Sequence, residues 1–333
     1  MAETAGNPSP RCVIGVDLGG TNARAALIDP DGKIVAQARR PSLQDQPAEA
    51  TLRQIGDACE EAIREAGVER SEVLGVGIGL PGIMDSETGI CFWSPNFPHW
   101  KDVPIGPAVS ERLGVPVYIL NDAKCAALGE LCYGAGRGVR NMVMITLGTG
   151  IGGAFVVDGR LLLGPNGSIG EVGHHTIDPA GRRCGCGNFG CWEAMCARDA
   201  IIERAERKLQ GGRPSRLREL GGRGGITPEL VSRAASEGDA VALEVLEEIG
   251  CYIGIGATNL INMLNPERFV IGGGISAAGA PLFDPIVRTI DSRAVPLQRR
   301  TAEIVPALLG DNAGVMGAAA LVLDRVGNVT DAI

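Results

Sequence analysis

The chain has no run of basic residues, and lysine is scarce: Lys33, Lys101, Lys124 and Lys208 are the only ones among 333 residues. With a formal net charge of -8, such a chain makes a poor partner for nucleic acid or an anionic membrane surface. Long apolar runs are missing too. The longest, Ile249 to Leu264, is interrupted by Gly254, Gly256, Asn259 and Asn262 and is too short and too polar to span a bilayer. The opening residues, MAETAGNPSPR, contain no apolar signal core. These absences lead to the expectation of a cytoplasmic protein with neither a membrane nor a nucleic-acid partner.

What is present supports an ordinary globular core. A hydrophobic fraction of 45% over this length suffices for one large domain or two of usual size. Of the 10 cysteines, Cys12, Cys59, Cys91, Cys125, Cys132, Cys196 and Cys251 are scattered among apolar neighbours and read as reduced, buried thiols.

The local pattern alternates strands, glycine turns and helices. Strands are expected at residues 12–17, 23–28 and 34–38, with Asp31-Gly32 as a hairpin turn. A helix is expected over 47–66, a strand over 73–80, a helix over 107–113 and a strand over 115–120, followed by a helix over 123–133. From Asn141 the order starts again: strand 142–147, a glycine turn at 148–153, a returning strand 154–157, and a hairpin at Asp158-Gly159. This is a faint internal duplication, one such unit per domain. Helices then dominate, over 200–209, 227–237, 240–264 and most of 281–295, with a strand at 269–271 and a last apolar helix over 313–326. The Gly- and Arg-rich stretch from Gly211 to Gly225 reads as a mobile surface connection.

Several motifs carry chemistry. Asp17-Leu-Gly19-Gly20-Thr21-Asn22 ends a buried strand with a carboxylate and a glycine turn. Such turns let backbone N–H groups approach a phosphate, and Asp17 could hold a hydrated Mg²⁺; the plainer reading is a hairpin with an exposed Asp. Leu147 to Gly153 (LGTGIGG) contains the spacing G-x-G-x-x-G. A dinucleotide loop must open a helix, and the residues that follow read as a strand, so a glycine hairpin over phosphates, with Thr149 and Gly150, fits better. Val270 to Ser276 is a third glycine turn, Gly272 to Gly274, after a buried strand. Three such turns favour a bound nucleotide. Asn121-Asp122-Ala123 lies at a strand-to-helix junction, where Asp122 is either a helix cap or a general base; in this company the base is favoured. In the loop SPNFPHWK, Asn96 is the one candidate ligand.

The most specific stretch runs from Glu171 to Glu193. It contains Glu171-Val-Gly-His174-His175 and then Cys184, Cys186 and Cys191, three cysteines within eight residues with glycines between them. Thiolates with one imidazole are the donors of a closed tetrahedral zinc site. His174 and His175 are rival candidates for the nitrogen ligand.

Taken together, DLGGTN, LPG (Leu80 to Gly82), NDA, LGTGIGG, EVGH, C-x-C-G-x-x-G-C-x-E and VIGGGIS resemble, in order, the ROK family of sugar kinases and repressors, over about Arg11 to Val326. SPNFPHWKDVP makes the chain most similar to the family's bacterial ATP-dependent glucokinases. The resemblance implies an α/β, actin-like (ribonuclease H-like) ATPase fold: two α/β domains, a cleft and a structural zinc site. Residues 11–122 with 313–330 would form the smaller domain and 123–312 the larger, with the zinc segment at 174–191. It implies Asp122 as the base that takes the 6-hydroxyl proton of a hexose, most simply D-glucose. Gly82, Asn96, Asn121, Asp122, Glu171, His174 and Glu193 would face the sugar. Asp17, Gly19, Gly20, Thr21, Asn22, Thr149, Gly150, Gly272, Gly273 and Gly274 would hold MgATP. Zn²⁺ would sit on His174, Cys184, Cys186 and Cys191 in a structural role, and a homodimer is the family habit. N-acetylmannosamine kinase is the alternative within the family. A sugar-responsive regulator is less favoured, because about ten residues before the first strand are too few for a DNA-binding helix-turn-helix.

Overall fold

In the computed structural model the described residues are 12–165, 167–222 and 224–326. Arg11 and residues 327–330 of the expected smaller domain lie outside them. The chain divides into two compact units: one runs up to Gly138 and adds Leu161–Ile169 and the chain from Leu308 onward, the other comprises Val139–Arg160 and Gly170–Ala307.

The first unit is built on β1 (Cys12–Leu18), β2 (Asn22–Ile28) and β3 (Ile34–Pro41), then α1 (Ala48–Ala66), β4 (Val73–Leu80), the small hairpin β5 (Ile83–Asp85) and β6 (Ile90–Trp93), α2 (Ile105–Leu113), β7 (Val117–Asn121) and α3 (Asp122–Tyr133). Its main sheet has the order β3-β2-β1-β4-β7. The β1 strand is apolar almost throughout because both of its faces are covered. Side chains alternate across a strand, so Cys12, Ile14, Val16 and Leu18 pack with Ile55, Ala58, Cys59 and Ala62 of α1. Val13 on the opposite face packs with Val315, Met316, Ala319 and Val322 of the C-terminal helix (Ala313–Arg325). Burying each of the Ile, Val, Leu and Met side chains among them contributes on the order of 1.5–3 kcal/mol. That second helix comes very close to the sheet. A Cβ on Gly15 would lie 1.8 Å from the Val315 carbonyl oxygen, and one on Gly77 would lie 1.8 Å from that of Ala318. The two glycines are therefore steric requirements of the fold.

The second unit repeats the plan with β8 (Met142–Leu147), β9 (Ile151–Val157), β10 (Arg160–Leu161), α4 (Trp192–Cys196), α5 (Arg198–Gln210), α6 (Leu217–Gly221), α7 (Pro228–Ser236), α8 (Ala240–Leu264), β11 (Arg268–Gly272), α9 (Ala280–Arg293), α10 (Pro296–Thr301) and β12 (Glu303–Pro306). Its sheet order, β10-β9-β8-β11-β12, is that of the first unit. In both, the first strand pairs antiparallel with the second and parallel with the next strand on its other side. The duplication is thus one of topology. The long α8 starts where Asp239 accepts a hydrogen bond from the Ala242 amide and stops at Asn265, which takes a left-handed φ of 44° just before Pro266.

Three local expectations need correcting. The β5–β6 hairpin and β12 were not anticipated, because their few residues carry too little pattern. The β9 strand starts at Ile151, so the second glycine turn is shorter than expected. The stretch from Gly211 to Gly225 contains α6, anchored by buried Leu217 and by the Asp239 carboxylate, which accepts from the Arg216 amide and the Ser215 hydroxyl. Among the described residues, no helix is long and apolar enough to cross a membrane.

Candidate active site

In the first unit, β1, β4 and β7 run parallel in register, with Asp17 beside Gly79 and Leu80 beside Asn121. Their carboxyl ends therefore deliver Asp17, the Leu80–Gly82 turn and Asn121-Asp122 to one edge of the sheet. In α/β sheets this is the edge where ligands bind.

The junction after β7 carries two polar side chains, and Asp122 Oδ1 accepts from the Ala123 amide at 2.9 Å. Asn121 is the helix cap: its Oδ1 accepts from the amides of Ala123 at 3.1 Å and Lys124 at 3.4 Å. Asp122 is the first residue of α3, where the helix dipole favours a carboxylate. Asp17 is pushed above the usual carboxylate range, first by burial; Arg24 pulls it back, and the negative charges of Asp122 and Asp311 push it up again. Arg24 lies 3.8 Å from Asp17 and also donates to the Asn312 side chain and to the Asp311 carbonyl. Asp311 and Arg24 were missed by sequence reasoning. The signal available was Gly-Asp-Asn-Ala-Gly, residues 310–314, a further glycine-and-acid turn opening a helix.

The glycine turn after β1 is held from outside. The Gly19 amide donates to the Asn22 carbonyl at 2.9 Å, the Ser42 amide donates to the Thr21 carbonyl at 3.0 Å, and the Ser42 hydroxyl donates to the Gly20 carbonyl. A Cβ on Gly20 would sit 3.4 Å from the Asn96 side chain, so Asn96 and this turn are neighbours. Gly82 has φ 126°, and a Cβ there would fall 2.2 Å from the Trp93 carbonyl oxygen.

In the second unit, a short 3₁₀ turn (Val172–His174) leads into a loop pinned by bridges between Thr176 and Cys191 and between Arg183 and Phe189. That loop gathers His174, Cys184, Cys186 and Cys191, whose ligand atoms all lie within 4.8 Å of one another. Cys184 Sγ is 3.7 Å from His174 Nδ1, and Cys186 Sγ is 3.7 Å from Cys191 Sγ. A tetrahedral ion with ordinary Zn–S and Zn–N bonds requires edges of about 3.8 Å between sulfurs and about 3.6 Å between sulfur and nitrogen. The donor set and its spacing fit such an ion. His175 is turned elsewhere: its Nδ1 meets the Val172 carbonyl, and its ring lies edge-on to Trp192 at 5.3 Å. Burial and then the neighbouring thiols Cys186 and Cys184 push the Cys191 thiol up to about 12, while the Asn188 backbone holds Cys186 below its ordinary value.

Glu193 lies two residues beyond the last cysteine. Its Oε2 accepts from the Ile151 amide at 3.0 Å, and its Oε1 is 4.0 Å from Cys184 Sγ. The Arg198 amide, at the start of α5, donates to the Gly148 carbonyl at 3.2 Å. The turn bearing Thr149 and Gly150 is thereby fixed to the cysteine segment. Thr149, Cys184 and Glu193 line a small pocket of about 100 Å³ with Arg182 and Arg183. Glu171 does not join them there; it borders a larger cavity of about 520 Å³ with His175 and Asn259. The third turn, Gly272 to Gly274, abuts the end of β8, with Gly273 at φ 86° against Leu147.

Two α/β units share one topology, with glycine turns at strand ends, paired acids at a sheet edge and a Cys₃His cluster whose donors could hold a metal ion. The sequence matches the model of the ROK family over residues 13–325, and the chain belongs to that family. It is 38% identical to a glucokinase of Halalkalibacterium halodurans over 94% of this chain and 96% of that one. It superposes on a glucokinase of Streptomyces griseus, solved with glucose and AMPPNP, with a TM-score of 0.80 and 34% identity, covering 93% of this chain and 98% of that one. A ROK family transcriptional regulator, a homologue of the Escherichia coli Mlc protein, superposes with a TM-score of 0.86 at 32% identity, covering 95% of this chain and 78% of that one.

Proposed function

We propose that this chain is an ATP-dependent hexose kinase of actin-like fold that phosphorylates the 6-hydroxyl of D-glucose, with Asp122 as general base. The observation that carries the reading is the junction after β7. Asn121 accepts from the amides of Ala123 and Lys124, and Asp122 Oδ1 accepts from the Ala123 amide at 2.9 Å. The Asp122 carboxylate is also near enough to Asp17 for its charge to push that carboxyl up, at the carboxyl ends of parallel strands. The likeness over nearly the full length to glucokinases, one of them solved with glucose and an ATP analogue, supports the same reading.

In this reading Asp122 is the base, and Asn96 and Asn121 are hydroxyl contacts. Glu171, His174 and Glu193 are the further hydroxyl contacts that the family resemblance implies. These are neutral or anionic hydrogen-bonding groups, suited to an uncharged polyol. Transfer of a phosphoryl group needs chiefly positioning and charge neutralisation. The glycine turns at Gly19 to Asn22 and Gly148 to Gly150 offer backbone N–H groups to phosphates, and the turn at Gly272 to Gly274 belongs with the nucleoside. Asp17 is the residue that would hold hydrated Mg²⁺, which neutralises phosphate charge when bound. Asp122 takes the proton from the attacking 6-hydroxyl, a contribution of roughly 10²- to 10⁴-fold in rate.

Zinc fits the Cys₃His cluster in a structural role. It would hold the loop that carries His174 and, through Cys191, the start of α4 that carries Glu193. A homodimer is proposed as the working assembly. The test is a coupled assay with MgATP and glucose, mannose, N-acetylmannosamine or fructose. Glucose is expected to give the highest kcat/KM. N-acetylmannosamine in first place would reassign the substrate, and no turnover of any of the four would sink the kinase reading.

A further inference from the structure

None of the glycine turns contains a lysine or an arginine: residues 17–23 read DLGGTNA, 147–153 LGTGIGG and 272–274 GGG. Backbone N–H groups offer a phosphate only partial charges. At the ligand edge of the first sheet, the charges of Arg24, Asp122 and Asp311 act on the buried Asp17 carboxyl, and Arg24 is the cation of that group. Its place follows from the hairpin. Arg24 is the cross-strand partner of Asp17, two residues beyond the first glycine turn, so the two side chains leave the sheet on one face. The guanidinium is anchored from its other side, by donation to the Asp311 carbonyl and, at 3.3 Å, to Asn312 Oδ1. Asp17 Oδ2 lies 3.8 Å away, beyond hydrogen-bond distance. Two hydrogen bonds use two of the five N–H donors of a guanidinium and leave others for an anion. The Arg24 side chain is 14% exposed, so its charge is weakly screened.

We propose that Arg24 is a further catalytic residue, the side-chain cation that faces the phosphoryl group in flight. Before nucleotide arrives it balances the Asp17 carboxylate. When a terminal phosphate reaches the turn, Arg24 donates to its oxygens and stabilises the charge spread over them in the transition state. The sugar 6-oxygen forms the new O–P bond while the bond to the departing ADP oxygen breaks, and Asp122 takes the hydroxyl proton. Arg24 exchanges no proton; it supplies charge and orientation. A planar fork can meet two phosphate oxygens at once, which an ammonium does only as a point charge. The identity of the anion, the terminal phosphate of ATP, rests on the kinase reading above.

Arg24→Met, Arg24→Gln and Arg24→Lys test this in the zinc-loaded full-length protein. Arg24→Met should lower kcat roughly 100-fold or more and weaken Mg·AMPPNP binding at least fivefold by calorimetry, with glucose affinity kept within twofold. Arg24→Lys should recover part of both losses, and added guanidinium ion should recover part of the Arg24→Met turnover. Arg24→Gln, which keeps an N–H donor for the Asp311 carbonyl, takes the place of Arg24→Met if that variant does not fold. Near-normal kcat in the neutral variant overturns the proposal and leaves the kinase standing. A loss shared equally by glucose and nucleotide binding, with no recovery by lysine or guanidinium, assigns Arg24 a structural role and also overturns it. A wild-type chain that phosphorylates no hexose refutes the kinase reading, and the nucleotide measurement then decides alone. Mg·AMPPNP bound more weakly by the neutral variant supports a phosphate-facing Arg24; equal or absent binding overturns it.

Discussion

The Glu193 carboxylate accepts a hydrogen bond from the Ile151 amide at 3.0 Å. One end of the cysteine loop is thereby tied to the glycine turn that begins β9. The contact leaves no room for a side chain, since a Cβ on Gly150 would fall 2.2 Å from Glu193 Oε2. Gly150→Ala should therefore displace either the carboxylate or the turn. The expected result is a drop in kcat/KM of at least tenfold with the fold retained, read by steady-state kinetics beside circular dichroism. Wild-type kinetics in that variant would show that the turn and Glu193 are not coupled.

Removing the metal should act through geometry. Structural zinc contributes about 10–16 kcal/mol of apparent binding free energy in small peptides. Here Cys184 lies beside both His174 Nδ1 and Glu193 Oε1. Cys184→Ser is expected to raise KM for the sugar more than it lowers kcat, with bound metal falling below one per chain. Because the Cys191 thiol is pushed up to about 12 without metal, binding must expel its proton, and metal retention should weaken as the pH falls. Elemental analysis of the purified protein checks this; a metal-free, fully active protein contradicts it.

The cap and the base should separate cleanly. Asn121→Ala removes the side chain that accepts from Ala123 and Lys124 and should cost about 1 kcal/mol of stability. Denaturant unfolding measures that loss. An Asp122→Ala change that destabilised as much as Asn121→Ala would assign capping to the wrong residue.

Asp17 gives a pH prediction. Its carboxyl is raised in the folded chain, first by burial. The folded state then holds a proton that the unfolded state has released, so stability falls as pH rises from the unfolded pKa through the folded one. Asp17→Asn should remove that slope and raise the Tm at neutral pH while abolishing turnover. An unchanged Tm profile would mean that burial of this carboxylate is not costly.

Much of this arrangement was legible in the residues. Strand ends, glycine turns and the cysteine spacing are local, and locality is what a sequence displays. The choice between His174 and His175 was not legible, because it depends on where the Val172 carbonyl and Trp192 hold the second ring. Arg24 and Asp311 were invisible for a related reason: 287 residues separate them, and only the packing of the C-terminal helix on β1 brings them together. The hairpin at Ile83 to Trp93 escaped because three- and four-residue strands carry almost no periodic signal.

The central claim is that Asp122 removes the proton from a hexose hydroxyl. It is tested most directly by kcat and glucose affinity in the Asp122→Ala variant, measured beside the wild type with MgATP. The account predicts a loss of kcat of roughly 10²-fold or more, with glucose affinity within an order of magnitude. Near-normal turnover would contradict it.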